Sequence, residues 1–166
     1  MRILESFPPR ILLTAACVTA FLLSAGSPPP PPEATDLAIV VRPDVPVDNL
    51  TFAELRRVML GDRQFWSSNL KVTLLVRAPG AREREVVLKT IYQMSEAQFK
   101  QYWIAKVFRA EAAGAPRIVY SNDMAAELAQ SIPGAIAFVD VSQIPKGLKV
   151  LKINGVLPGQ PGYPLH

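Results

Sequence analysis

Apolar and polar residues in this chain fall into blocks whose period changes from strand-like to helix-like and back. Leu37–Arg42 is a short apolar run rich in β-branched side chains, the pattern of a buried strand, and Pro43 and Pro46 end it. Thr51 and Glu54 then form a capping box, in which a hydroxyl and a carboxylate satisfy orphan amides at a helix start. Phe52, Leu55, Val58 and Met59 mark one face of that helix, and Gly61 stops it. Lys71–Arg77 predicts the next strand, Pro79–Gly80 a turn, and Ala81–Met94 a helix. A second capping box, Ser95 to Gln98, opens a helix with Phe99, Tyr102, Trp103 and Val107 on one side. Gly114 and Pro116 break it. Arg117–Tyr120 reads as a short strand, and Ser121 or Asn122 caps a helix through Met124, Leu128 and Ile132. Pro133–Gly134 turns into a buried strand at Ala135–Val139, and Lys149–Ile153 is the last strand. This alternation predicts an α/β fold: a single three-layer domain with a mostly parallel sheet flanked by helices.

The two ends carry different signals. Arg2 and Arg10 precede an apolar run, Ile11–Leu23, and small residues follow from Ser24 to Ser27. A basic start, an apolar stretch of about 13 residues and a small-residue zone describe a secretory signal. The run is short of the ~20 residues that cross a bilayer. Residues 1–25 are therefore expected to be a cleaved signal peptide and the mature protein to be periplasmic. A retained anchor and a chain lipidated at Cys17 are the alternatives, although Thr14 fits a lipidation motif poorly. Membrane contact is expected only through this segment if it is kept. Residues 26–35 hold five consecutive prolines, Pro28–Pro32, and form a stiff spacer. The folded domain is expected over 36–155, with a Pro- and Gly-rich tail over 156–166.

Composition narrows the chemistry. The chain has 166 residues, 49% hydrophobic and 19% charged, enough apolar material for one packed core. The net charge of +4 comes from basic residues scattered among acids, without the aromatic-interleaved basic patch of a nucleic-acid binder, so no nucleic-acid partner is expected. The single cysteine, Cys17, lies in the export segment, and the single histidine, His166, is the last residue. No nucleophile–base pair, disulfide or metal-ligand set is visible, and no enzyme activity or cofactor is expected.

Four segments, in order, resemble the phosphate-binding protein of bacterial phosphate ABC transporters, a type 2 periplasmic binding protein. They are Thr51–Gly61 followed by Trp66; Val72–Arg77 running into a glycine turn and a helix; the amphipathic helix with Tyr102 and Trp103; and Pro133–Val139 (PGAIAFV), similar to the family's Pro-Gly-Ala-Ile-Gly-Tyr-Val. The likeness spans about Leu37 to Ile153 and covers segments of the second lobe only. It implies one lobe of a two-lobed, solute-binding, non-enzymatic protein used in transport. A single lobe covers one side of a ligand, so tight binding would need a second surface from a homodimer or another envelope protein.

The resemblance also implies where an oxyanion such as phosphate would sit. The family's strand delivers an Arg, and a Ser-Gly-Thr stretch then opens a helix. Here the stretch reads Arg77-Ala78-Pro79-Gly80-Ala81-Arg82-Glu83. Arg77 and Gly80 match, while Ala81, Arg82 and Glu83 fall where Ser, Gly and Thr are expected, so two hydroxyl donors are lost. The expected ligand-binding residues are Arg77, Gly80, Ala81 and Arg82, with Arg82 and Arg84 able to offset Glu83, which competes with an anion. Two readings of the charges from Arg77 to Glu85 stand side by side: an anion site, or a solvated helix start with local ion pairs. Phe65–Trp66, Tyr102–Trp103 and Asp140 are each open between a ligand-facing role and core or capping roles. The alternative function is an interaction or structural module of the cell envelope that binds no small molecule.

Overall fold

Residues 35–166 are described by the computed structural model. The signal segment, Cys17 and the proline run lie outside the described residues. Among the described residues, no helix is long and apolar enough to cross a membrane.

Leu37–Val41 (β1) is buried at all five positions. Asn49–Leu50 (β2) leads into Phe52–Met59 (α1). The Thr51–Glu54 capping box forms as expected, with the Thr51 amide donating to Glu54 Oε2 at 2.8 Å. A small hairpin follows, Phe65–Ser67 (β3) against Leu70–Lys71 (β4), and then Thr73–Arg77 (β5). The strand expected over Lys71–Arg77 is thus two strands. The Val72 amide donates to the Gln64 carbonyl at 2.8 Å, which takes it out of the main ladder.

Arg82–Val87 (α2) runs directly into a π-helical turn, Leu88–Tyr92, and Gln93 stops it in the left-handed region at φ 55°. Glu96–Phe108 (α3) opens on the second capping box, Ser95 with Gln98. Its inward face is Phe99, Trp103 and Lys106; Val107, expected there, is 40% exposed. The Lys106 ammonium is buried because it donates to Asp62 Oδ1 at 2.5 Å and to the Tyr102 hydroxyl at 3.1 Å. Burial alone would lower its pKa, but these two partners outweigh that and hold it above the ordinary lysine value.

Arg117–Val119 (β6) and Asn122–Ser131 (α4) follow, with Ser121, not Asn122, as the helix cap. Ala135–Asp140 (β7) leads to a 3-10 turn, Val141–Gln143, then Lys149–Val150 (β8) and Lys152–Ile153 (β9). The last strand expected over Lys149–Ile153 is split in two. β8 pairs with β1, and β9 leaves that sheet to pair with β2.

The main sheet has the order β6-β5-β7-β1-β8. β5 is parallel to both β6 and β7, whereas β1 runs antiparallel between β7 and β8, so four of the five strands share one direction. Side-chain alternation divides the core into two layers. Leu37, Ile39, Val41, Val76, Ile136 and Phe138 pack with α1, the π-helical turn and α3. Ala38, Val40, Leu75, Ala135, Ala137 and Val139 pack with Ala125 and Ala129 of α4. The alanines on this second face let α4 lie close to the sheet.

The Pro- and Gly-rich segment from residue 156 is part of this packing. Leu165 is fully buried, its carbonyl accepts from the Leu37 amide at 2.8 Å, and the Tyr163 hydroxyl donates to the Leu37 carbonyl at 2.6 Å. Burial raises the Tyr163 phenol above its ordinary pKa.

Gly134 closes the loop into β7. Its φ is +73°, its carbonyl accepts from the Thr73 amide at 3.0 Å and the Trp66 indole at 2.9 Å, and a Cβ would meet the Lys71 carbonyl oxygen at 2.0 Å. Gly134→Ala is expected to destabilise by at least ~2 kcal/mol, since left-handed strain alone costs about 1–2 kcal/mol and the backbone clash adds to it. Urea denaturation of wild type and variant checks this; a loss under ~0.5 kcal/mol contradicts it.

Candidate functional site

Parallel strands end together, and open α/β sheets bind ligands at their carboxyl edge. Here that edge carries Arg77 at the end of β5, Ser121 after β6, and Asp140 at the end of β7. Arg77 Nε lies 3.4 Å from Glu83 Oε2, with the two side chains only 13% and 11% exposed. The pair is charge-matched but poorly aligned. Arg77 Nε and Nη1 are buried and make no hydrogen bond among the described residues. A buried donor without an acceptor costs free energy, and such groups cluster at functional positions.

The turn beside Arg77 supplies the rest of the expected site. Gly80 has φ +85° and open space around its α-carbon. Ala81 is the N-cap of α2 and offers no side-chain cap; its amide is used within the turn, donating to the Ala78 carbonyl at 3.2 Å. Arg82 points away from Arg77. It donates to the Thr35 carbonyl, and its Nη1 lies 3.6 Å from Asp140 Oδ2. Arg84 is buried; it donates to the Arg77 carbonyl at 2.9 Å, to Glu96, and lies over the Phe99 ring at 4.8 Å. Thus Arg77, Gly80 and Ala81 share one strand–turn–helix junction, and Arg82 belongs to the end of β7.

The solvated reading of the Arg77–Glu85 charges does not hold for Glu83 and Arg84, which are both buried. The Arg84–Glu96 pair draws the Glu96 carboxyl below its ordinary pKa. This partnership was not legible from spacing, because twelve residues and a π-helical turn separate the two.

The open aromatic and acidic positions also find their places. Trp66 is a core anchor whose indole is bonded to Gly134, while Phe65 is half exposed. Trp103 is buried, and Tyr102 donates to the Leu60 carbonyl at 2.8 Å. Asp140 caps the 3-10 turn, accepting from the Ser142 amide at 2.9 Å and hydroxyl at 2.6 Å, and from the Thr35 hydroxyl. Among the described residues, no group of three or more His, Cys, Asp or Glu side chains comes together to hold a metal ion.

No family model matches the chain. Its fold is similar to solved structures of phosphate-transport receptors. A phosphate ABC transporter substrate-binding protein from Clostridium perfringens, solved with bound phosphate, superposes with a TM-score of 0.60 at 16% identity, over 75% of this chain and 47% of that one. An ABC-type phosphate transport receptor from Vibrio cholerae gives 0.60 at 21% identity, covering 75% and 48%. PstS from Borrelia burgdorferi gives 0.58 at 17% identity, covering 75% and 49%. The described fold is therefore that of a solute-binding-protein lobe, and the chain spans about half the length of these structures. At such identities the likeness concerns the fold alone.

Asp140 provides a pH test of the carboxyl edge. Burial raises its pKa, but the Ser142 hydroxyl and amide, the Thr35 hydroxyl and the Arg82 charge outweigh this and leave it below the ordinary value. A folded-state pKa below the unfolded one adds stability that is present above about pH 3.9 and is lost as pH falls through the folded value. Asp140→Ala is expected to cost about 1–2 kcal/mol near neutrality, and the gap from wild type should close in acid. Denaturation midpoints across that range check it; a pH-independent gap contradicts it.

Proposed function

We propose that this chain is an exported, non-enzymatic, solute-binding-type lobe that takes a small oxyanion such as phosphate only weakly, because its own Glu83 holds the arginine that the anion needs. The observation that carries this reading is Arg77: a buried guanidinium at the carboxyl edge with two unused donors and a carboxylate 3.4 Å away. A guanidinium fork suits a tetrahedral oxyanion, and Gly80 leaves the turn beside it open for close approach. Arg77, Gly80, Ala81 and Arg82 are the proposed contacts. Of these, Arg77 supplies the charge, the Ala81 amide must leave the Ala78 carbonyl that it now bonds, and Arg82 must swing from Asp140 to take part.

Glu83 makes the affinity low. It already neutralises Arg77, so an anion must displace it, and no hydroxyl replaces the donors that Ala81 and Glu83 lack. A single lobe also leaves half the ligand in water, and closure would need a second surface. The fold likeness to phosphate receptors supports the ligand class. The same Glu83–Arg77 pair favours a second reading, in which the lobe is an interaction module whose ligand position has been filled internally.

Calorimetry with phosphate at fixed ionic strength separates the two. Wild type is expected to bind no tighter than high-micromolar, about −5 to −6 kcal/mol. Glu83→Thr should tighten binding at least tenfold, by ~1.4 kcal/mol, and Arg77→Ala should abolish it. Absence of binding in both wild type and Glu83→Thr transfers the assignment to the interaction module.

A further inference from the structure

Asn154 is the only asparagine in the chain that is followed by glycine. In that pair the side-chain carboxamide can close on the next backbone nitrogen, because glycine puts no side chain in the way. Here Asn154 and Gly155 form the turn after β9, with φ values of 52° and 81°. Ile153 and Val156 exchange both backbone hydrogen bonds across it, each at 2.9 Å. Two left-handed residues in a two-residue loop make a type I′ turn, and Asn-Gly is the sequence that turn favours. Both residues are exposed, so water reaches them.

Both groups that would react are held by the segment that runs from β2 into α1. The Gly155 amide donates to Asn49 Oδ1 at 2.7 Å. Asn154 Oδ1 accepts at 3.0 Å from the Phe52 amide, one of the orphan donors at the start of α1. The Asn154 amide donates to the Leu50 carbonyl at 2.9 Å, continuing the pairing of β9 with β2. Asn49 and Asn154 thus brace the two segments against each other. The brace points the Asn154 carboxamide at α1 and the Gly155 N–H at Asn49, so neither is free to meet the other while it holds.

We propose that Asn154 is a self-modification site gated by this clasp between β2 and β9. When the clasp opens, the Gly155 nitrogen attacks Asn154 Cγ. A nitrogen–carbon bond closes a cyclic imide, and the carboxamide nitrogen leaves as ammonia, carrying off the Gly155 amide proton. Water then opens the imide at either carbonyl. One opening gives aspartate; the other gives isoaspartate, whose main chain runs through the side-chain carbon. Isoaspartate lengthens the backbone inside a two-residue turn, so the Asn49 bond does not reform and the Phe52 amide loses its acceptor. A passing local opening is thereby written into covalent structure. The site does not depend on the Arg77 reading.

The test is peptide mapping by mass spectrometry after incubating the full chain in mildly alkaline buffer, native and in urea, with Asn49, Asn69 and Asn122 as internal references. In urea, Asn154 should convert to aspartate and isoaspartate far faster than the other three. In the native wild type it should convert slowly. Asn49→Ala removes the acceptor for the Gly155 amide and should raise the native rate about fivefold, the effect of losing one restraining hydrogen bond. Asn49→Asp keeps an oxygen there and should stay at the wild-type rate. Gly134→Ala weakens the whole fold without touching the clasp, and it should leave the native rate near wild type. Conversion of native wild type as fast as in urea, or an Asn49→Ala rate equal to wild type, overturns the proposal. So does a rise in Gly134→Ala matching that in Asn49→Ala, which assigns the gate to global unfolding.

Discussion

The strand β1 reads Leu-Ala-Ile-Val-Val and exposes none of its side chains, so it is stable only when strands flank both edges and helices cover both faces. At about 1.5–3 kcal/mol for each large aliphatic side chain buried, it is the costliest element to leave uncovered. Its neighbours are set by that demand. β7 supplies one edge over five register pairs and β8 supplies the other over two. The Leu151 amide extends the second edge by donating to the Ile39 carbonyl at 2.9 Å. Large side chains go to the α1 and α3 layer and small ones to the α4 layer, which fixes which face each helix takes.

That arrangement also produces the carboxyl edge. Because β5, β6 and β7 run in one direction, Arg77, Ser121 and Asp140 end on the same side of the sheet. Each then meets a local partner, although Arg77 keeps two buried donors without a hydrogen bond. Asp140 caps its own turn, Ser121 caps α4, and Arg77 faces Glu83 in the first turn of α2. Burying a guanidinium requires a counter-charge. In this lobe the counter-charge belongs to the chain itself, which couples the start of α2 to the end of β5 without any ligand.

What local chemistry decides was legible in the residues. The two capping boxes, the β-branched run of β1 and the Pro-Gly entry to β7 each carry their instruction within a few positions. What depends on distant partners was not. Val72 interrupts its expected strand because its amide is claimed by Gln64, and the last strand divides after Leu151 because the Lys152 amide goes to the Asp48 carbonyl, and no periodicity reports either. Lys106 displaces Val107 from the inner face of α3 because Asp62, 44 positions earlier, meets its ammonium. Tyr163 and Leu165 sit among prolines and glycines that read as a tail, yet their partner is Leu37. At the candidate site, the conflict between Glu83 and an anion was visible in sequence. The burial of Glu83 and Arg84 was not, since both partners, Arg77 and Glu96, are brought in by tertiary packing.

The bond from the Leu37 amide to the Leu165 carbonyl joins the first strand of the domain to residues 128 positions later. A ribosome delivers Leu37 long before Leu165, and β1 also waits for β7 and β8. During that interval the most apolar strand has no lasting partner, so the domain is held in an unfinished, exposed state until synthesis has passed Leu165. Topology thus acts as a timer: β1 stays open to other partners until residues more than a hundred positions later arrive to complete its surroundings.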